Sequence, residues 1–148
     1  MPSSPPYHPA EQLRAAALRV TAPRVAVLEE VTRRPHADVD TIARAVRDRL
    51  GSVSTQAVYD VLRALTSAGL LRRIEPAGSP ARYETRSGDN HHHVVCRVCG
   101  AIADVDCAVG EAPCLDPGSS SGFVVDEAEV TFWGLCPDCT AIPETAQQ

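Results

Sequence analysis

The six cysteines of this 148-residue chain all lie between residues 96 and 139. Four of them form two Cys-x-x-Cys pairs, Cys96–Cys99 and Cys136–Cys139. Each pair can present two thiolates to one ion, and zinc prefers four such ligands arranged as a tetrahedron. A single pair would also suit a redox-active dithiol, but two pairs favour a structural Zn²⁺ site built from all four thiols. Such a site contributes directly to folding free energy.

Cys107 and Cys114 stand outside these pairs. They fit two interpretations, either small buried apolar residues or redox thiols that respond to peroxide. Clustered cysteines are typical of metal ligands in a reducing cytosol. The chain has no apolar run near the ~20 residues that span a bilayer, and its start lacks the pattern of a secretory signal. We therefore expect a cytoplasmic protein with no membrane partner.

A run of three histidines, His91-His92-His93, precedes the first cysteine pair. In a β-strand His91 and His93 would point to the same face. The carboxylates Glu84 and Asp104 are close in sequence. Imidazole and carboxylate ligands together suit Fe²⁺, Mn²⁺ or Zn²⁺, so the pattern predicts a second metal site of a different kind.

Two enzyme classes could use these residues, but neither pattern is complete. A small metallohydrolase could use the histidines and carboxylates, yet the chain has no HExxH motif and no obvious nucleophile beyond the ligands. A thiol–disulfide oxidoreductase could use Cys136-Pro-Asp-Cys139, yet the second cysteine pair favours metal. We therefore expect no enzyme activity and no small-molecule substrate, and the metallohydrolase is a distant alternative.

The elements that position these residues begin with helical patterns. Helices are predicted over 10–18, over 21–34 before Pro35, from Asp38 or Asp40 to Gly51, and over 55–68. Two short strands follow, over 70–74 and 81–84, joined by the Pro/Gly turn EPAGSP. Helices followed by a β-hairpin predict a winged helix-turn-helix, in which the last helix enters the DNA major groove.

The last of these helices has two distinct faces. A buried stripe is predicted from its helical spacing, at Val58, Val61, Leu62 and Leu65. The opposite face carries the candidate DNA-binding residues Thr55, Gln56, Tyr59 and Arg63. Arg72 and Arg73 in the wing suit phosphates. The alternative is a small α+β domain whose polar helix face has no partner.

Charge is distributed unevenly along the chain. Residues 1–89 carry 13 arginines against ten acidic residues, whereas residues 90–148 carry one arginine against nine. This asymmetry predicts two lobes with different partners, of which the first is suited to phosphate. We expect a winged-helix DNA-binding domain over 1–87, a hinge over 88–92, and a dimerisation and zinc-binding domain over 93–148.

The motifs of this chain together resemble the ferric uptake regulator family of bacterial metal-dependent repressors over about residues 8–140. The motifs that carry the resemblance are LRVTAPR (18–24), PHADVDTI (35–42), VSTQAVYDVLRALTSAGLLRRI (53–74), ARYE (81–84), HHHVVCRVCG (91–100) and GLCPDC (134–139). The resemblance implies an α+β protein, with an N-terminal winged helix-turn-helix domain and a small α/β dimerisation domain carrying the four-cysteine zinc site. It also implies a homodimer that binds a palindromic double-stranded DNA operator.

The resemblance implies a role for individual residues as well. The regulatory metal ligands would be His36, Glu84, His91, His93 and Asp104. They would bind Fe²⁺ or Mn²⁺, with Zn²⁺ possible in vitro. Arg19 would reach a minor groove, and Tyr59 would pack on thymine methyl groups. The chain is most similar to the actinobacterial branch, which implies an iron- or redox-responsive repressor of catalase-peroxidase, oxidative-stress or iron genes. A zinc-sensing regulator of the same family is the alternative.

Three positions depart from the family pattern. Asp60 stands where an arginine is common, and it either pairs with Arg63 or changes DNA specificity. Asn90 and Ala128 replace ligands of a third metal site, which we therefore expect to be absent. Position 84 is Glu rather than Asp, which argues against oxidation of the histidines and leaves iron loss or thiol oxidation as redox routes.

Overall fold

A computed structural model describes residues 7–85, 91–106, 121–124 and 130–141 of the chain. The chain divides into two units, Met1–Ser87 and Gly88–Gln148. The expected hinge over 88–92 lies partly outside the described residues, so the division into three parts stays a prediction. Within the described residues, no helix is long and apolar enough to cross a membrane.

The described part of the first unit contains four helices and three short strands. The helices are α1 (Pro9–Ala15), α2 (Ala22–Arg33), α3 (Val39–Leu50) and α4 (Thr55–Ser67). The strands are β1 (Ala37–Asp38), β2 (Leu71–Ile74) and β3 (Arg82–Thr85), which form an antiparallel sheet in the order β1-β3-β2. Helices α2, α3 and α4, together with this small sheet, make the winged helix-turn-helix that the sequence predicts.

Three helices begin at side-chain caps. The side chains of Thr21, Asp38 and Ser54 each accept a hydrogen bond from the backbone N–H three residues on, at 3.3, 2.8 and 3.0 Å. These bonds satisfy N–H groups that have no partner within the helix. Of the two capping aspartates considered for α3, the structure uses Asp38.

Helix α1 ends earlier than predicted. It stops at Ala15 instead of continuing to residue 18. Ala17 adopts a left-handed backbone with φ of 59°, and the N–H of Leu18 donates to the carbonyl of Leu13 at 2.8 Å. The residue that adopts this conformation after a helix is usually glycine or asparagine. Because this segment has alanine there, the sequence did not indicate where the helix ends.

The core of the first unit lies among α2, α3 and α4. Its fully buried members include Val27, Leu28, Val31, Ile42, Val46, Val58, Leu62 and Leu65. Val61, predicted in the same stripe, is only partly buried against this core. The buried stripe of α4 therefore holds the helix in place and leaves its opposite face to solvent.

Strand β1 was not predicted. Its two residues pair with β3, Ala37 with Tyr83 and Asp38 with Arg82. Two residues cannot show the alternation that identifies a strand in sequence.

The described part of the second unit contains a three-stranded sheet and one helical turn. These elements are β4 (His91–Cys96), β5 (Ile102–Asp106), β6 (Thr131–Gly134) and α5 (Pro137–Thr140). The sheet order is β5-β4-β6, with β4 antiparallel to β5 and parallel to β6.

Candidate metal centres and nucleic-acid interface

The two cysteine pairs meet at one end of the second sheet. Cys96 ends β4 and is paired with Gly134 of β6, so Cys136 follows close beside it. The four thiol sulfurs lie within 4.8 Å of one another, and the sulfurs of Cys99 and Cys136 are 3.6 Å apart. Sulfurs at about 2.3 Å from one zinc ion would be roughly 3.8 Å apart in a tetrahedron. The cluster therefore has the dimensions of a zinc site.

The pKa values of these thiols also suit the binding of a cation. Backbone N–H groups of Cys99 and Cys136 lower the pKa of Cys96 to about 6. The hydrogen bond with Cys136, together with burial, raises the pKa of Cys139 to about 12. One thiolate is stabilised by backbone dipoles, and neighbouring sulfurs then make further deprotonation unfavourable. A divalent cation removes this obstacle, so the residues present suit Zn²⁺.

His36 and Glu84 form a buried pair within the first unit. The imidazole Nε2 lies 3.2 Å from the Glu84 Oε2, and the side chains are only 12% and 4% exposed. Two ligand atoms about 2.1 Å from one ion are roughly 3.0 Å apart in an octahedron and about 3.4 Å apart in a tetrahedron. The spacing suits either a hydrogen bond or two ligands of one metal ion.

The backbone at His36 is held in an unusual conformation. Its φ is 70°, in the left-handed region that few residues other than glycine adopt. The N–H of His36 donates to the Tyr83 carbonyl at 2.8 Å, and Arg82 Nη1 donates to the His36 carbonyl at 3.1 Å. Both bonds join His36 to β3, the strand that carries Glu84. Arg82 is therefore a positioning residue that the sequence pattern did not reveal.

A second histidine–carboxylate pair lies within the second unit. His93 and Asp104 are opposite each other on β4 and β5, and the His93 Nε2 lies 3.4 Å from Asp104 Oδ1. His93 is fully buried, whereas the Asp104 side chain is half exposed. The neighbouring His92 is also buried. The strand pairing thus brings together two of the residues that the family resemblance assigns to the regulatory metal.

Several other predicted residues lie outside the described part of the structure. They are the side chain of His91, the possible redox thiols Cys107 and Cys114, and the third-site positions Asn90 and Ala128. Their predicted roles stay predictions.

The candidate DNA-binding residues of α4 differ in their exposure to solvent. Gln56, Tyr59 and Arg63 are exposed, and Tyr59 retains 44% of its surface. Thr55 is only partly exposed, because its hydroxyl accepts a hydrogen bond from Arg47 of α3. Arg19 is exposed in the segment before α2, where its carbonyl accepts a hydrogen bond of 2.8 Å from Arg24.

Asp60 links two of these exposed side chains. Gln56 Nε2 donates to Asp60 Oδ1 at 3.0 Å, and Arg63 Nη1 lies 3.7 Å from the same oxygen. The sequence left two alternatives for Asp60, a pair with Arg63 or a change in DNA specificity. The structure shows the pair with Arg63. The bond from Gln56 was missed, although the helical spacing of four residues could have indicated it.

Comparison with known proteins identifies the family. Residues 15–132 match the ferric uptake regulator family. The chain is 69% identical over 140 residues to the transcriptional regulator FurA of Mycobacterium tuberculosis, covering 95% of this chain and 94% of that protein. It is 65% identical over 121 residues to ferric uptake regulation protein 1 of Mycolicibacterium fortuitum, covering 82% and 75%.

Solved structures agree on the fold. The ferric uptake regulator of Helicobacter pylori has a TM-score of 0.67 at 19% identity, with 89% of each chain covered. That of Pseudomonas aeruginosa, solved with manganese, has a TM-score of 0.65 at 23% identity, covering 88% of this chain and 99% of that chain. The relatives are named as transcriptional regulators and not as enzymes. This chain belongs to the ferric uptake regulator family of transcriptional regulators.

Proposed function

We propose that this regulator is a metal-dependent repressor, responsive to iron and to redox state, that binds palindromic promoter DNA as a homodimer. The observation that carries this proposal is the solvent-facing side of α4. There Gln56, Tyr59 and Arg63 are exposed on a helix whose opposite face carries the buried Val58, Leu62 and Leu65. An amide, a phenol and a guanidinium are groups that read base edges and contact phosphates. Arg19 is proposed to reach the adjacent minor groove.

The proposed regulatory ligands are His36 and Glu84 in the first unit and His91, His93 and Asp104 in the second. Support comes from the two histidine–carboxylate pairs, each already formed within its own unit. A bound divalent cation would supply positive charge beside the carboxylates of these pairs. Nitrogen and oxygen ligands favour Fe²⁺ or Mn²⁺ for this site, with Zn²⁺ possible in vitro.

The four cysteines are proposed to hold a separate, structural Zn²⁺. Their thiols converge and one of them is already acidified, which supports a permanent site rather than a sensor. Redox response is proposed to arise from iron loss or from oxidation of Cys107 and Cys114. The proposed targets are catalase-peroxidase, oxidative-stress or iron genes, regulated in the cytoplasm, where the chromosome lies.

Operator binding under anaerobic conditions tests the proposal. The probe is a labelled duplex with the palindrome upstream of the protein's own gene, followed by fluorescence anisotropy. Zinc-replete protein is titrated with Fe²⁺, Mn²⁺, further Zn²⁺ or a chelator. We expect Fe²⁺ or Mn²⁺ to increase affinity about 5- to 150-fold, the range of typical allosteric coupling. Peroxide should reverse the increase, and two chains should bind per duplex.

The substitution His36→Ala should abolish the metal response without affecting zinc content. His8→Ala is the matched control, because His8 is an exposed histidine of the same unit. A response to Zn²⁺ at far lower concentration than to Fe²⁺ or Mn²⁺ would instead identify a zinc-sensing regulator. Binding that ignores added metal altogether would contradict the regulatory site.

A further inference from the structure

The short segment from His36 to Asp38 is attached to strand β3 at both of its ends. At its first end, the N–H of His36 donates to the Tyr83 carbonyl at 2.8 Å. At its other end, Asp38 is paired with Arg82 across the sheet. The guanidinium of Arg82 returns to the first end, where Nη1 donates to the His36 carbonyl at 3.1 Å. Arg82 therefore holds both ends of the segment.

The backbone conformation of His36 depends on these attachments. Its φ of 70° is unfavourable for a residue other than glycine and persists only where the surrounding structure determines it. In this conformation the imidazole Nε2 lies 3.2 Å from the Glu84 Oε2, a spacing that suits two ligands of one ion. Loss of the bond from Arg82 would therefore disturb the proposed ligand geometry.

The other end of the segment is the start of α3. The Asp38 carboxylate accepts a hydrogen bond from the backbone N–H of Thr41 at 2.8 Å and so caps the helix. Asp38 and Arg82 also carry opposite charges at directly opposed positions, which attract each other across a sheet. A change at Arg82 therefore reaches both the proposed metal ligand and the cap of α3.

The last turn of α3 in turn contacts the start of the helix that is proposed to read DNA. Arg47 donates from Nε to the Val53 carbonyl at 2.9 Å and from Nη2 to the Thr55 hydroxyl. Thr55 is the first residue of α4. Contacts thus lead from His36 to α4 within the first unit.

We propose that Arg82 couples the proposed metal site to the start of α3, and thereby to α4, so that ligand geometry at His36 and capping by Asp38 stabilise each other. The inference rests on the proposed function, in which His36 and Glu84 are metal ligands. A guanidinium accepts no hydrogen bond and offers no lone pair, so Arg82 is a positioning residue and not a ligand. Coupling between two sites is reciprocal, so a change at Asp38 must alter the metal affinity.

A double-mutant cycle on zinc-replete, full-length protein tests this coupling, with Mn²⁺ alone as the probe. Mn²⁺ affinity is measured from the electron paramagnetic resonance signal of the free ion. Asp38→Ala should weaken Mn²⁺ binding about three- to tenfold, as expected for coupled residues. Arg82→Met should weaken it about 10- to 100-fold, the usual effect of losing a residue that orients a ligand. Asp38→Ala should then have no further effect in the Arg82→Met background.

Ser54→Ala is the matched control, because Ser54 caps α4 with the same kind of bond, at 3.0 Å, that Asp38 makes at α3. It should leave the Mn²⁺ affinity unchanged. Arg82→Lys keeps the charge and a donor, so it should recover most of the affinity that Arg82→Met loses. Zinc content and circular dichroism show that each variant is folded. If Arg82→Met does not fold, the comparison of Asp38→Ala with Ser54→Ala still decides whether cap and metal site are coupled.

The variant His36→Ala separates this inference from the proposed function. An unchanged Mn²⁺ affinity in His36→Ala would contradict the proposed ligands, and the coupling would fall with them. Weaker binding in His36→Ala but not in Asp38→Ala would overturn the coupling alone. An Asp38→Ala effect that persists in the Arg82→Met background would overturn it too, and so would an equal effect from Ser54→Ala.

Operator binding at saturating Mn²⁺ is the second readout. The increase in operator affinity, about 5- to 150-fold in unmodified protein, should be largely lost in Arg82→Met and kept in Arg82→Lys. A full increase in Arg82→Met would overturn the coupling to α4. If the unmodified protein shows no increase, the proposed function fails, and the Mn²⁺ titrations still decide whether Arg82 couples His36 to Asp38.

Discussion

On the solvent face of α4, Asp60 holds the side chains on either side of it. The Gln56 amide nitrogen points to the Asp60 carboxylate at 3.0 Å, so its oxygen points away. The amide then offers one acceptor and one remaining N–H. Adenine presents a complementary donor and acceptor in the major groove, and glutamine pairs with it in this way. We therefore expect Asp60 to act on specificity through Gln56, while its charge is partly offset by Arg63.

Replacing Asp60 with alanine should reduce discrimination between operators. The Gln56 amide would no longer be held in one orientation, and a negative charge would be removed from the DNA-facing side. We expect stronger binding to scrambled DNA and a specificity ratio lowered by up to about tenfold at one adenine position, within the ~1–3 kcal/mol of a base contact. Competition binding with single-base operator variants measures both quantities.

Asp48→Ala is the control for charge, since Asp48 is an exposed aspartate of α3. It should change the affinity for all duplexes slightly and leave the specificity ratio unaltered. An unaltered ratio in Asp60→Ala as well would show that Asp60 only offsets nearby positive charge.

Among the elements, helix α3 begins at the N-cap Asp38, which is also the last residue of β1. Hydrogen bonds from the Thr41 hydroxyl and backbone N–H hold the pKa of Asp38 below its ordinary value of 3.8. The nearby Arg82 and Arg44 act in the same direction. Because Asp38 is paired with Arg82 across the sheet, this one residue joins the start of α3 to the strand beside His36.

The substitution Asp38→Ala should lower the free energy of unfolding by about 1 kcal/mol, and Asp38→Asn by less, because asparagine still accepts the bond. A lowered pKa in the folded state stabilises the protein above the unfolded pKa. That contribution is lost as the pH falls below about 3.8 through the folded pKa. Denaturant unfolding followed by circular dichroism at pH 7 and pH 3 measures it.

The difference between the unmodified protein and Asp38→Asn should therefore shrink at pH 3. Any zinc that the cysteines hold would be lost from both proteins alike on acidification, so this loss would cancel in the comparison. A difference that stays constant with pH would show that ionisation of Asp38 makes no contribution.

At the scale of the whole molecule, the two units are stabilised by different means. The first has an extensive aliphatic core among its helices. The buried apolar residues described in the second are Val95, Cys96 and Cys139. With so few buried apolar residues described there, we expect the cysteine cluster to contribute folding free energy through a bound metal.

Removal of zinc by a chelator should therefore unfold the second unit and spare the first. Hydrogen exchange followed by mass spectrometry should show protection lost over 91–106 and 130–141 and retained over 22–33 and 55–67. Rebinding should release at least two protons per zinc at pH 7, because cysteine thiols of an unfolded unit have ordinary pKa values and are mostly protonated, whereas zinc binds thiolates. A pH indicator in weak buffer measures this release.

The substitution Cys139→Ser should reproduce the effect of the chelator. Val98→Ser is its control, because Val98 is an exposed residue of the Cys96–Cys99 turn that offers no thiol. Full protection in zinc-free protein would contradict a structural role for the site.

Local patterns in the sequence were sufficient to predict most of the helices and the cysteine cluster of this protein. The caps at Thr21, Asp38 and Ser54 and the apolar stripe of α4 predict helices because their interactions span only a few residues. The two Cys-x-x-Cys pairs predict a zinc site for the same reason, since each pair is one turn. The strands of the hairpin and the exposed face of α4 follow from the same short-range rules.

Only the tertiary structure decided what depends on distant segments. His36 and Glu84 are 48 residues apart and meet because β1, too short to be predicted, pairs with β3. Arg82 reaches the His36 carbonyl through the same pairing, and the register of β4 with β5 places His93 opposite Asp104. Contacts of this kind depend on packing and strand register between distant segments. The periodicity and spacing of residues along one segment carry no information about them.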